Sequence, residues 1–163
     1  MGDQEELVER LEQLYRSKYQ RFFRLALAVL GGREAAADAV HDGFVRALGS
    51  VGEVRDGEAL EPWVWRTVLN VALSEHAARR RVDRVPGVEG LESVANGHPD
   101  EWRELRAAVA ALPERQRSVL FLRHYADLDY EQIASVLGVA RGTVAATLHQ
   151  AHTALRKSIE VPK

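Results

Sequence analysis

An all-α fold, two small helical domains joined by a flexible linker with a helix-turn-helix in the second, is predicted by three features of this 163-residue chain. Apolar residues recur three and four positions apart along most of its length, and no stretch of any length alternates as a half-buried strand would. The stretch 82–99 loses that periodicity and holds Pro86, Gly87, Gly90, Gly97 and Pro99, the composition of a linker. Beyond it, Asp127 to Arg156 carries the punctuation of two helices separated by a tight turn.

Taken in order, Glu5–Tyr15 reads as a helix with Leu7, Leu11 and Leu14 on one side, and a second segment runs from about Ser17 to Leu30 with Phe22, Phe23, Leu25, Ala26 and Val29 to bury. Gly31 and Gly32 end it. Arg33–Leu48 is again helical: Ala36, Val40, Phe44 and Ala47 form one stripe, and Asp38 and Asp42, four apart, lie together on a neighbouring one. Gly49–Gly57 is a loop. Pro62 suits the first turn of the next helix, about Glu61–Arg81, which carries Trp63, Val64, Trp65, Val68, Leu69, Ala72 and Leu73 and ends in Arg79, Arg80 and Arg81. Helix resumes over Asp100–Leu112 and, after Pro113, over Glu114–Tyr125. The domain boundaries that follow are 1–81, 82–99 for the linker, and 100–163. No internal repeat is present.

In the last stretch Asp129 can cap a helix N-terminus, with Gln132 three residues on as its reciprocal partner in a capping box. Ile133, Ala134, Val136 and Leu137 give that helix an apolar face, and Gly138 supplies the residue that can take positive φ where it turns. The next helix begins near Arg141 and turns Val144, Leu148, Ala151 and Leu155 inward, leaving its other face free. An ordinary helical hairpin shares some of this pattern. The cap, the glycine and the registered second helix together favour DNA binding in the major groove.

Composition restricts the function further. The apolar fraction is 46% and the formal net charge is -2, so any nucleic-acid binding must be local rather than driven by bulk charge. The first dozen residues are acidic, whereas Arg79, Arg80, Arg81 and Arg84 cluster, a pattern that equally describes a solvated helix end. No cysteine is present, which excludes disulfides and thiolate metal sites and suits a reducing cytosol. The longest strongly apolar run, Leu25–Leu30, is too short to span a bilayer, and the acidic start is unlike a secretory signal. A cytoplasmic protein without membrane insertion is expected.

Three segments carry a resemblance. DAVHDGFVRAL at Asp38–Leu48, PWVWRTVLNVAL at Pro62–Leu73 and LPERQRSVLFLRHYADLDYEQIASVLGVARGTV at Leu112–Val144 stand in an order, and at separations, similar to the extracytoplasmic-function sigma factors of the sigma-70 family. In that group a helical region two is joined by a flexible linker to a helix-turn-helix region four, and the resemblance covers nearly the whole chain. His41 stands where the family usually has Gln, and Asp42 where it has Glu; Trp63, Arg66 and Asn70 lie at family positions.

The resemblance implies a sigma factor that binds core RNA polymerase, at its clamp and flap regions, and directs promoter-specific initiation of transcription. The helix bearing Asp38, His41 and Asp42 is implied to dock on the clamp. The following helix is implied to meet the minus-ten element through Asn70, Ser74 and neighbouring Glu75, with Arg79, Arg80 and Arg81 neutralising phosphates. Trp63 and Trp65 could stack on bases, but on a helix of a small bundle the core is the expected place for at least one, and Trp63 is assigned there. Region four is implied to read the minus-thirty-five element, with Arg141 and Thr143 on phosphates and Ala145, Ala146, Thr147, His149 and Gln150 toward base edges. The family commonly has Lys or Arg, then Ser, then Arg where Ala145, Ala146 and Thr147 stand, and another Arg at the position of Gln150; with most of these basic contacts absent, this unit is expected to bind DNA weakly alone and to depend on the polymerase holding both domains. An anti-sigma partner is a further expectation.

No cofactor, metal or enzymatic activity is expected. His149 and His152, three apart, form half a metal site with no evident third ligand, and Asp127, Asp129 and Glu131 only mimic the start of a calcium loop. No activated nucleophile or phosphate-binding glycine loop is present. Two other readings differ in class: a sigma-derived interaction protein that binds polymerase or a regulator without reading promoters, and a stand-alone dimeric helix-turn-helix regulator.

Overall fold

The computed structural model describes residues 2–54, 60–83 and 100–160, and among them there are helices and no strand. Helix α1 spans Gly2–Leu30, α2 Arg33–Gly49 and α3 Leu60–Asp83, with a short 3-10 turn at Val51–Glu53. In the second unit α4 spans Asp100–Ala111, α5 Glu114–His124, α6 Tyr130–Leu137 and α7 Arg141–Glu160. Helix α3 runs two residues past its expected end at Arg81, through Val82 and Asp83; the rest of the stretch expected as a linker, 84–99, and 55–59 of the expected loop, lie outside the described residues.

The first unit is a bundle of α1, α2 and α3, each packed on the other two. The sequence suggested two helices before Gly31; there is one. The apolar stripe lapses at Lys18, but the step is filled by an ion pair from Lys18 Nζ to Glu61 Oε1 at 2.5 Å, so Leu11, Leu14, Phe22 and Leu25 bury along a single face. Gly31, with φ 79°, then turns the chain while its N–H donates to the Leu27 carbonyl. At the centre Trp65 is fully buried, its ring stacked on Phe22 with centroids 3.7 Å apart. Phe44 meets Phe22 edge-on at 5.0 Å and Tyr15 at 4.9 Å.

Close approach of α2 and α3 depends on Gly43. A Cβ there would lie 2.7 Å from Val68 Cγ2 and 3.0 Å from Val68 Cα, so one helix must shift to admit it. Gly43→Ala gains about 1 kcal/mol of helix propensity. Overpacking costs about 1–3 kcal/mol, and the contact with backbone favours the upper end. The expected outcome is a net loss of about 2 kcal/mol in urea unfolding; an unchanged or raised midpoint would show that the helices separate at little cost.

In the second unit α4, α5 and α6 all pack on α7. Pro113 occupies the N-cap of α5, where its missing N–H leaves no helical bond unmade, and its carbonyl accepts from Arg117 N. Val119, Leu122, Ala126, Leu128, Ile133, Val136, Val144, Leu148 and Ala151 form the core.

The two units also touch. α3 lies against α6 and α1 against α5, and the buried residues of both belong to one connected apolar cluster.

Candidate nucleic-acid interface

The turn that presents α7 is fixed by its own residues. Asp129 Oδ1 accepts from the Gln132 N–H at 2.8 Å while Gln132 Oε1 accepts from the Asp129 N–H at 2.9 Å, the reciprocal cap expected from the sequence. Gly138 takes φ 65°, and both its N–H and that of Val139 donate to the Ala134 carbonyl. The chain leaves this turn and enters α7 at Arg141.

Helical phase then sorts the α7 side chains. Val144, Thr147, Leu148 and Ala151 face inward and are buried. Gly142, Ala146, His149 and Gln150 form an exposed stripe, with Arg141 at its start and Thr143 and Ala145 half-buried at its edge. Thr147 corrects the sequence-based assignment: at 8% exposure it is part of the core, three residues after Val144 and four before Ala151, and cannot reach a base edge. Arg141 stands over the Tyr130 ring, 5.8 Å from its centroid, and shares with Arg123, Asp129, Tyr130 and Glu131 a cleft of about 370 Å³.

His149 and His152 do not act together. His152 Nε2 lies 3.4 Å from His124 Nε2 on α5, whereas His149 is exposed on the outer stripe. Among the described residues, no three His, Asp or Glu side chains gather into a metal-binding group. Partial burial, then the neighbouring His152 and Arg123 charges, lower the His124 pKa below the ordinary 6.5. The unfolded chain therefore binds this proton more readily. Stability from the neutral ring is complete above pH 6.5 and is lost as pH falls below it through the depressed folded value. Unfolding midpoints measured between pH 8 and 5 should fall more steeply for the native chain than for His124→Gln; parallel curves would remove this role.

On α2, Asp38 and His41 are exposed and Asp42 is half-buried, with its carboxylate 3.0 Å from Arg46. The helix continues this face with two further side chains, Val45 at 52% and Leu48 at 51% exposure, which the motif alone does not single out. Positions 38, 41, 42, 45 and 48 thus make one stripe, acidic at its start and apolar at its end. Their signal was present as two large apolar residues off the stripe of Phe44 and Ala47.

On α3, Arg66, Asn70, Ser74 and Arg81 are exposed along one side. Trp65 is core and presents no ring face for base stacking, and Trp63 is half-buried against the core. Glu75 is half-buried and pairs with Arg79 at 2.8 Å, which commits part of the basic cluster to its own helix. The Arg80 side chain lies outside the described residues. Arg66 has a partner the sequence did not foretell, for its guanidinium donates to the Ser135 and Val136 carbonyls at the end of α6.

The Sigma-70 region 2 family matches residues 14–82, and the Sigma-70 region 4 family matches residues 102–155. The RNA polymerase sigma factor SigV of Bacillus subtilis is 30% identical over 139 residues, covering 84% of this chain and 83% of that protein. Among solved structures, the fold is similar to sigma factor RpoE in complex with the anti-sigma factor NepR from Bartonella quintana, with TM-score 0.67 and 20% identity, covering 95% of this chain and 99% of that one. It is also similar to CnrH in complex with the cytosolic domain of CnrY, with TM-score 0.69 and 18% identity over 94% and 89% of the two chains.

Proposed function

This chain belongs to the sigma-70 family as an RNA polymerase sigma factor of the extracytoplasmic-function type, and from that premise we propose a division of labour among its surfaces. Residues 1–83 form the unit that docks on the polymerase clamp and meets the minus-ten element, 84–99 link the units, and 100–163 read the minus-thirty-five element beside the flap. The protein initiates transcription by binding and positioning, without enzymatic chemistry of its own.

Polymerase docking is assigned to Asp38, His41 and Asp42, extended by Val45 and Leu48. Contact with the opened minus-ten strand is assigned to Asn70 and Ser74, and phosphate neutralisation to Arg79, Arg80 and Arg81. In the second unit Arg141 and Thr143 hold phosphates. Ala145 and Ala146 offer methyl contact to thymine, while His149 and Gln150 offer hydrogen bonds to base edges. An anti-sigma protein is a fitting regulator, since both structural neighbours are complexes with a second protein. No helix among the described residues is long and apolar enough to cross a membrane, which accords with action in the cytoplasm.

The observation that carries the promoter-reading assignment is the exposed stripe Ala146, His149 and Gln150 on the second helix of a helix-turn-helix whose first helix is capped at both ends. It has few cations, so base edges rather than phosphates must supply its selectivity. Gln150→Ala in the holoenzyme should reduce discrimination at one base pair of the upstream element about tenfold, within the 1–3 kcal/mol of a bidentate contact. Transcription from a randomised upstream element reads this directly. An unchanged preference would move base reading off this residue.

A further inference from the structure

The geometry points to a surface site for a zinc-class divalent ion, held by His124 at the end of α5 and His152 on α7, that braces these two helices. Neither residue is assigned to polymerase docking or promoter reading, and the site stands without the sigma-factor assignment.

The two rings meet head to head. His124 Nε2 lies 3.4 Å from His152 Nε2, with ring centroids 5.6 Å apart and planes tilted by 47°, so the rings face each other through their nitrogens and do not stack. A hydrogen bond between them would be a long one, since N–H donors usually approach their acceptors to about 2.7–3.2 Å. The separation suits a shared ion better. Two imidazole nitrogens each about 2.0–2.1 Å from one tetrahedral zinc stand about 3.4 Å apart. A modest turn of each exposed side chain brings both lone pairs onto that ion.

The backbone holds the pair in place. Val119 and Leu122 of α5 and Leu148 and Ala151 of α7 are buried in the same core, which fixes the two helices against each other. His124 is the last residue of α5, at the negative end of the helix dipole, where a cation is favoured. Two arginines oppose it. Arg123 is turned toward the Leu128 carbonyl at 3.5 Å and the Asp127 carboxylate at 3.8 Å, and Arg156, one turn on from His152, is exposed to solvent. No third His, Asp or Glu joins the two rings among the described residues, so water completes the coordination.

The ligand set selects the kind of ion. Imidazole suits zinc and its neighbours copper and nickel, whereas magnesium and calcium take oxygen ligands. His149, although three residues from His152 on the same helix, lies on the outer stripe and is not a ligand.

Calorimetric titration of the full chain with zinc chloride at pH 8, after treatment with a chelator, tests the site among the six histidines present. One saturable site is expected, and excess magnesium should not compete for it. Replacing even an outer-shell partner of a metal ligand costs about 10–100-fold in affinity, so His124→Gln and His152→Gln should each weaken binding at least about tenfold. Both side chains are exposed, so neither change opens a cavity. His149→Ala should bind zinc as the native chain does. Zinc should also raise the thermal unfolding midpoint of the native chain and leave that of His152→Gln where it was. Binding without saturation, binding unchanged in both glutamine variants, or equal loss in His149→Ala would overturn the site. Equal stabilisation of the native chain and His152→Gln would overturn the brace.

Discussion

Val45→Glu with Leu48→Glu should weaken binding to core RNA polymerase about 100-fold or more, while leaving the protein folded. Both side chains are half exposed on α2, so their replacement creates no cavity and buries no charge in the free chain. In a complex they would be the apolar anchors at the end of a stripe whose acidic start, Asp38 and Asp42, supplies orientation. Hot spots of an interface are such desolvated anchors, each worth about 2 kcal/mol or more, and two carboxylates introduced there would be buried without partners. Asp42→Asn should act more weakly, because the Asp42 carboxylate already shares its charge with Arg46 at 3.0 Å. Titration of labelled polymerase separates the two. Equal loss from both variants would show a docking surface dominated by charge, and no loss from the double variant would move the interface off this helix.

Trp65→Ala should unfold the first unit. The side chain is fully buried, stacks on Phe22 and donates its indole N–H to Glu61 Oε1 at 3.3 Å; that carboxylate in turn holds Lys18. Removing a buried tryptophan costs about 3–5 kcal/mol. This compares with about 5–15 kcal/mol for a whole domain, and a unit this small stands at the low end. Trp63, half-buried two residues earlier, should cost well under half as much when replaced by Ala. Loss of helical circular dichroism in the first variant and its retention in the second are the expected pair of results. Equal stability of the two would contradict the assigned centre of the bundle.

Local chemistry was legible in the sequence. The Asp129–Gln132 cap, the Gly138 turn and the inward face of α7 each depend on neighbours within a few residues, and all three stand as read. The motif alone points Thr147 outward, whereas its helical phase, between Val144 and Ala151, places it inside. The long α1 was split at a polar gap, since nothing in its own sequence says that Lys18 will find Glu61, 43 positions away. Arg66 is the clearest case of what one chain stretch cannot show. Its role requires the orphan carbonyls of a helix in the other unit to be brought alongside.

The most direct test of the central claim is run-off transcription by purified core polymerase on genomic fragments, with and without this protein, with every new start mapped. New starts preceded by two shared sequence elements at a constant separation are the predicted result, with the upstream element altered by Gln150→Ala. Stable polymerase binding with no new start would contradict promoter reading and leave an interaction protein built on the same fold.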